Sequence, residues 1–337
     1  MKTNINTLFV LCFFVFFIKV SPVFAQSASN TSTSEILKSW NNTANKQAII
    51  AYVSDVTNPK SSNFIPVADR IATFDNDGTL WSEQPAYFQF FFAIDRVKKM
   101  AKDHPEWKTE QPFKAVLEND MEALKASGME GLIKLVMTTH AGMTSTDFEK
   151  MVKEWSKTAV HPTKKVPFTD MIFQPMLELL TYLRANEFKT YIVSGGGIEF
   201  MRAFLTDVYG IPTEQIIGST VKTKFEIVDG VPVINRLAEL DHNDDKGGKP
   251  ESINKYIGKK PVFAAGNSDG DLAMLQYTDS NTYKSFQLYI HHTDAAREWA
   301  YDRTSSIGKF DKGLDEAIAK KWTVVSMKTD WSAIYPR

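Results

Sequence analysis

Residues 74–81 read FDNDGTLW, and they follow the apolar run Arg70-Ile71-Ala72-Thr73. The run reads as a buried strand, and the acids mark the loop that follows it. Asp75 and Asp77 stand two apart, so in an extended chain they point to the same side. Two like charges held together cost stability unless something positive sits between them. A hard divalent cation accepts carboxylate and carbonyl oxygens, and the Asp77 carbonyl is a further donor of that kind. With such a cation present, one acid can attack and the other can exchange a proton. Gly78 lets the backbone turn away at once. The competing reading is a plain turn at a strand end, for which Asp-Gly is common.

Three more polar clusters follow apolar runs. In KTYIVSGGG (189–197), Ser194 and the amides of Gly195, Gly196 and Gly197 precede the helical pattern IEFMRAFLTDVYG, closed by Gly210. A hydroxyl and free N–H groups in that position suit an anion. Lys249 opens the short helix KPESINKYIG, with Pro250 in its first turn. It can neutralise a phosphate or restrain Asp75, and Lys246 is a nearby competitor. KPVFAAGNSDGD (260–271) ends a third strand in Asn267, Asp269 and Asp271, oxygen donors at a spacing that suits magnesium. They could equally cap the helix DLAMLQY. SFQLYIHH (285–292) is a fourth strand, and His291, His292 and Asp294 after it could reach substrate or a second metal, but read better as a cap for the helix TDAAREWAY.

Recurring strand–loop–helix units predict an α/β fold, a Rossmann-like parallel sheet with helices on both faces. In such sheets the chemistry lies beyond the carboxyl ends of the strands, where the Asp75, Ser194 and Asn267 clusters all fall. Residues 83–168 carry helical patterns and no clear strand. Within them Tyr87, Phe88, Phe90, Phe91 and Phe92 could meet an apolar or cationic leaving group, but read better as core. KTKFEIVDGVPVINR (222–236) alternates around Asp229-Gly230, a hairpin signal.

The chain has 337 residues, 43% of them hydrophobic, enough for one domain with an insertion or for two. No basic stripe accompanies the formal charge of −1, so nucleic acid is not expected as a partner. Lys2 precedes an apolar run from Leu8 to Ile18, and Val23 and Ala25 suit a cleavage site before Gln26. Residues 1–25 therefore read as a signal peptide, too short to span a bilayer comfortably, with an uncleaved anchor as the competing reading; no membrane span is expected after its removal. That removes Lys2 and Lys19 and no acid, giving 37 − 40 = −3. It also removes Cys12, the only cysteine, so disulfides and thiolate chemistry are not expected. A periplasmic or extracellular location is expected. Residues 26–66 read as a polar leader and N-terminal helices.

The four clusters, in this order, resemble the haloacid dehalogenase superfamily of aspartate-nucleophile phosphatases. DNDGT looks like the first motif, Ser194 the second-motif hydroxyl, Lys249 the third-motif lysine and GNSDGD the acidic fourth motif. The phosphoserine-phosphatase-like branch, with its helical cap, is the closest arrangement. The resemblance implies a catalytic core over 67–82 and 169–337 and a cap over 83–168. It implies Asp75 as nucleophile, Asp77 as general acid and base, and Ser194, Gly195 and Lys249 on the phosphate. It implies Mg2+ held by Asp75, Asp77, Asn267 and Asp271, and a small phosphomonoester as substrate, phosphoserine or a broad range. The family usually has Asp where Asn267 stands, and Asn offers an oxygen without the charge. This weakens metal binding or moves the load to Asp271. The alternatives are an exported binding protein that kept the fold, and a phosphomutase. A dehalogenase needs no second acid at position 77.

Overall fold

The computed structural model describes residues 36–336. The expected signal peptide and the first part of the leader lie outside them. Seven strands form one sheet: β1 Ile71–Phe74, β2 Lys189–Gly197, β3 Ile216–Val228, β4 Val231–His242, β5 Phe263–Gly266, β6 Phe286–His291 and β7 Thr323–Ser326. Their order is β4-β3-β2-β1-β5-β6-β7. All neighbours run parallel except β3 and β4, which form the hairpin. The chain order reverses around β1, which therefore lies at the switch point where ligands bind in such sheets.

Alternate residues of the strands enter two separate cores, as a pleated sheet requires. Phe74, Ile192, Ala265, Leu288 and Ile290 join one, with the helices Ala44–Thr57 and Gln174–Ala185. Val193, Ile217, Ala264 and Tyr289 join the other, with Leu272–Asp279 and Lys312–Lys320. Helices thus cover both faces, as expected. The N-terminal helix is part of the first layer: Tyr52 packs on Phe263 and Phe286, and its hydroxyl donates to Val262 O at 2.6 Å.

The chain leaves this sheet after β1 and returns beside its own exit, where Ser82 N donates to Met171 O at 3.1 Å. Between them lie the helices Phe88–Met100, Phe113–Glu118, Met121–Ala126, Gly128–His140 and Ser145–Thr158. Val97, Trp107, Phe113 and Leu135 make a core of their own there. Phe88 and Phe92 are fully buried and Phe90 and Phe91 partly so, so these rings are packing residues; Tyr87 stays 39% exposed. The hairpin turns at Asp229 (φ 51°) and Gly230 (φ 80°), the paired positive φ values that a two-residue turn needs. Its second strand docks on the helical segment through Arg236, whose Nε donates to His140 O at 2.7 Å.

Two sequence expectations change. The helix predicted over 198–210 is two short ones, Ile198–Arg202 and Leu205–Tyr209, and β2 itself runs through the glycine triplet to Gly197. Residues 294–300 form a turn, not a helix, so His291 and His292 have no helix to cap. Asp294 holds that turn by accepting from Arg297 N at 3.0 Å.

Candidate active site

The site grows from the end of β1. Asp75 N donates to Ala265 O at 2.9 Å, which carries the parallel ladder one residue past the strand. The chain then wraps around Asn76, whose carbonyl accepts from Leu80 N at 2.8 Å and Thr79 N at 3.1 Å. Tyr209 fixes the Asn76 side chain with a 3.0 Å hydrogen bond. Gly78 sits at φ +75°, and a Cβ there would overlap the Asn267 amide and the Glu83 carboxylate. Gly78→Ala is therefore expected to lower stability by about 2 kcal/mol or more, from the positive φ and the clash together. Chemical denaturation checks this; an unchanged midpoint would refute the close packing.

Lys249 ties three strand ends together. Its Nζ donates to Asp75 Oδ1 at 2.6 Å, to Asp271 Oδ1 at 2.6 Å and to Val193 O at 2.9 Å. Burial works against its charge, but Asp271 and Asp75 outweigh it and hold the ammonium protonated. Lys246 is exposed, so of the two lysines Lys249 is the one in the site. Burial, and then Asp271, push the Asp75 carboxyl up to about 8 against the pull of Lys249. Burial likewise raises Asp77 to about 6, opposed by the Trp81 indole, whose Nε1 donates to Asp77 Oδ1 at 2.7 Å.

The glycine loop closes the other side. Ser194 is buried, and its Oγ accepts from Gly196 N at 3.3 Å. A Cβ on Gly196 would stand 3.6 Å from both Asp77 Oδ2 and Ser194 Oγ, which puts the two loops side by side. Gly195 turns its carbonyl to Ser219, which donates at 2.8 Å. Gly197 N donates to Gln89 Oε1 at 2.7 Å, so the helical segment reaches the loop.

The fourth cluster divides its work. Asp269 Oδ1 accepts from Asp311 N at 2.9 Å and Gly313 N at 2.8 Å, away from the centre. Asp271, expected among the metal ligands, has its oxygens engaged elsewhere. Oδ1 takes Lys249, and Oδ2 accepts from Asn267 N at 2.9 Å and Ser268 N at 3.0 Å. Its place is to hold the lysine and the loop. Asn267 Oδ1 accepts from Thr79 Oγ1 at 3.1 Å, and Nδ2 donates to Glu83 Oε1 at 2.7 Å.

Glu83 was not singled out in the sequence. It is 2% exposed and also accepts from the Tyr301 hydroxyl at 2.7 Å. Burial raises its carboxyl well above the usual range, opposed by Tyr301 and reinforced by Asp77 and Asp75. His292 also enters the site, its Nε2 donating to Gly78 O at 2.8 Å while Nδ1 faces Glu298 at 3.0 Å. Nothing in the SEQP stretch advertises Glu83, and the polar end of β6 offers His292 only as one of two readings; both contacts come from loops far apart in sequence.

Asp75, Asp77, Glu83 and Asp271 carry four negative charges when ionised, against one from Lys249, a sum of −4 + 1 = −3. Such a site favours a cation, and its oxygen donors suit magnesium. Among the described residues no three His, Cys, Asp or Glu side chains enclose an ion by themselves. Magnesium is commonly bound by one or two carboxylates, with waters and substrate phosphate completing its shell. The residues present fit it on those terms.

A parallel α/β sheet with an acid pair, a buried lysine and a glycine loop at its switch point defines a hydrolase of a known kind. The family model described as haloacid dehalogenase-like hydrolase matches residues 72–276, and the chain belongs to that family. No curated protein matches. Among solved structures, a protein of unknown function from Bordetella pertussis Tohama I is 14% identical, with 76% of this chain and 98% of that one covered and a TM-score of 0.48. A functionally unknown protein from Anaerococcus prevotii DSM 20548 is 17% identical, covering 83% and 91% with a TM-score of 0.49. A phosphoserine phosphohydrolase-like protein from Francisella tularensis is 19% identical, covering 66% and 87% with a TM-score of 0.35. No helix among the described residues is long and apolar enough to cross a membrane.

Proposed function

We propose that the protein is an exported, magnesium-dependent phosphatase that hydrolyses small phosphomonoesters through an aspartyl-phosphate on Asp75. The observation that carries this reading is the Lys249 ammonium, held against Asp75 beside Asp77 and the glycine loop. Asp75 attacks phosphorus, the ester P–O bond breaks, and the phosphoryl group is carried on the carboxylate. Asp77 gives its proton to the leaving oxygen and takes one from the water that later attacks. A carboxyl near 6 suits that exchange close to neutral pH. Lys249, bonded to Asp75, and the buried Ser194 would supply the cationic and hydroxyl donors to the transferring oxygens. Asp75 and the Asp77 carbonyl would hold the magnesium. When bound, it offsets the repulsion between two anions.

The segment between Ser82 and Met171 supports a small substrate, since a helical cap beside the site limits what can enter. Phosphoserine is one member of the class, and a broad scavenging range is the other form of this proposal. Export rests on Lys2, the apolar run and the Ala25 site, and mass spectrometry of the mature protein should find Gln26 at its N-terminus. The activity is tested with p-nitrophenyl phosphate, with magnesium and with chelator. Turnover that needs magnesium is expected. Folded protein that gives none in either condition sinks the phosphatase reading and favours the binding protein.

A further inference from the structure

The family pattern has an acid where Asn267 stands, and the structure has an acid next to it. Glu83 Oε1 accepts from Asn267 Nδ2 at 2.7 Å. When ionised, Glu83 can only accept, and the amide then turns its NH2 to Glu83 and its oxygen to Thr79, as found. Glu83 is 2% exposed, and its other partner, the Tyr301 hydroxyl, is neutral. Among the described residues no Lys, Arg or His side chain pairs with it. Lys249, the buried cation of the site, is held by Asp75 and Asp271. A carboxylate buried without a cation is costly, and the site retains one where the charge of position 267 would otherwise lie.

We propose that Glu83 supplies the negative charge toward the divalent cation that Asn267 cannot, so that the charge of the fourth motif has moved to the loop after the first. The proposal rests on the magnesium of the phosphatase reading. It explains why Asn stands at 267: an Asp there would face Glu83 across a hydrogen-bond distance, and both could ionise only with a cation beside them. It also explains why Asp271 does not take over the load, because its oxygens are already engaged. Glu83 is a partner for the cation and has no part in bond breaking.

The test is magnesium binding by calorimetry to the full chain, in the wild type, Glu83→Gln and Glu83→Gln with Asn267→Asp, with folding followed by circular dichroism. Glu83→Gln is expected to weaken magnesium binding about 10- to 100-fold. The double variant, which returns the charge to position 267, is expected to recover wild-type affinity to within about threefold, the coupling a double-mutant cycle detects. If the single variant does not fold, the double variant must still fold and bind. Unchanged affinity in Glu83→Gln overturns the proposal, as does a double variant that fails to fold or binds no better than the single. Magnesium-dependent turnover of p-nitrophenyl phosphate, measured alongside, separates the two ideas. If it persists in wild type while Glu83→Gln keeps its affinity, this inference fails and the phosphatase stands. If wild type binds no magnesium, both fail.

Discussion

Asp75→Asn is expected to remove at least about 10⁴-fold of turnover, since the variant has no carboxylate to carry the phosphoryl group. The fold should survive, because Asn keeps an oxygen for Lys249 and the lysine keeps Asp271 and Val193 O. The same variant has a signature that loss of activity alone does not give. In metal-free protein the Asp75 carboxyl is raised to about 8, by burial first and Asp271 second. The folded chain then holds a proton that the unfolded chain releases near its ordinary value of 3.8. A folded state that binds more protons loses stability as pH rises, here from about 4 toward about 8. Asn cannot titrate, so the fall in melting temperature between pH 5 and pH 8, in chelator, should be shallower in the variant. Asp244, raised by burial to about 7, keeps part of the slope. Equal slopes in the two proteins would show that Asp75 ionises normally and that the site is not short of positive charge.

Lys249→Met should have the largest effect on stability of any change at the site. The ammonium is 2% exposed and makes three hydrogen bonds, two of them to carboxylates. Methionine fills a similar volume but leaves Asp75 and Asp271 buried without a partner. Removing one side of a buried ion pair costs about 3–5 kcal/mol, more than the pair itself contributes. Urea unfolding in chelator should record a loss of that size, and activity should vanish with it. A loss under about 1 kcal/mol would mean that the ammonium is not what holds these two buried groups in place. Adding magnesium should recover part of the stability, because a cation then stands where the ammonium stood.

Much of this arrangement is legible in the sequence because it is local. The β1 run and its acid pair, the glycine triplet after β2 and the acidic turn after β5 each combine a buried strand with a polar end. Period and composition reveal such junctions without any tertiary knowledge. The Asp229-Gly230 turn is legible for the same reason, since a two-residue hairpin with positive φ selects those residues. Strand β7 was missed although TVVS has β-branched residues, because four residues do not separate a strand from a short buried segment. The helix expected over TDAAREWAY (293–301) fails on the other side. Its helical composition was outweighed by the buried contacts of His292 with Gly78 and Glu298.

The local sequence pattern is enough for the fold class, the family and the residues at each strand end, because backbone periodicity and short motifs are set by neighbours in the chain. It left open which lysine serves the site, and 246 and 249 differ in burial, not in composition. It left Asp271 among the metal ligands, and only the packing of β5 beside β1, with Lys249 between them, gives that carboxylate to Lys249 and the loop amides. Glu83 was invisible, since its importance comes from lying against Asn267, 184 residues away. Charges act through space and are weakened by water. Which of them matter was therefore decided when the tertiary fold brought distant loops together and excluded solvent between them.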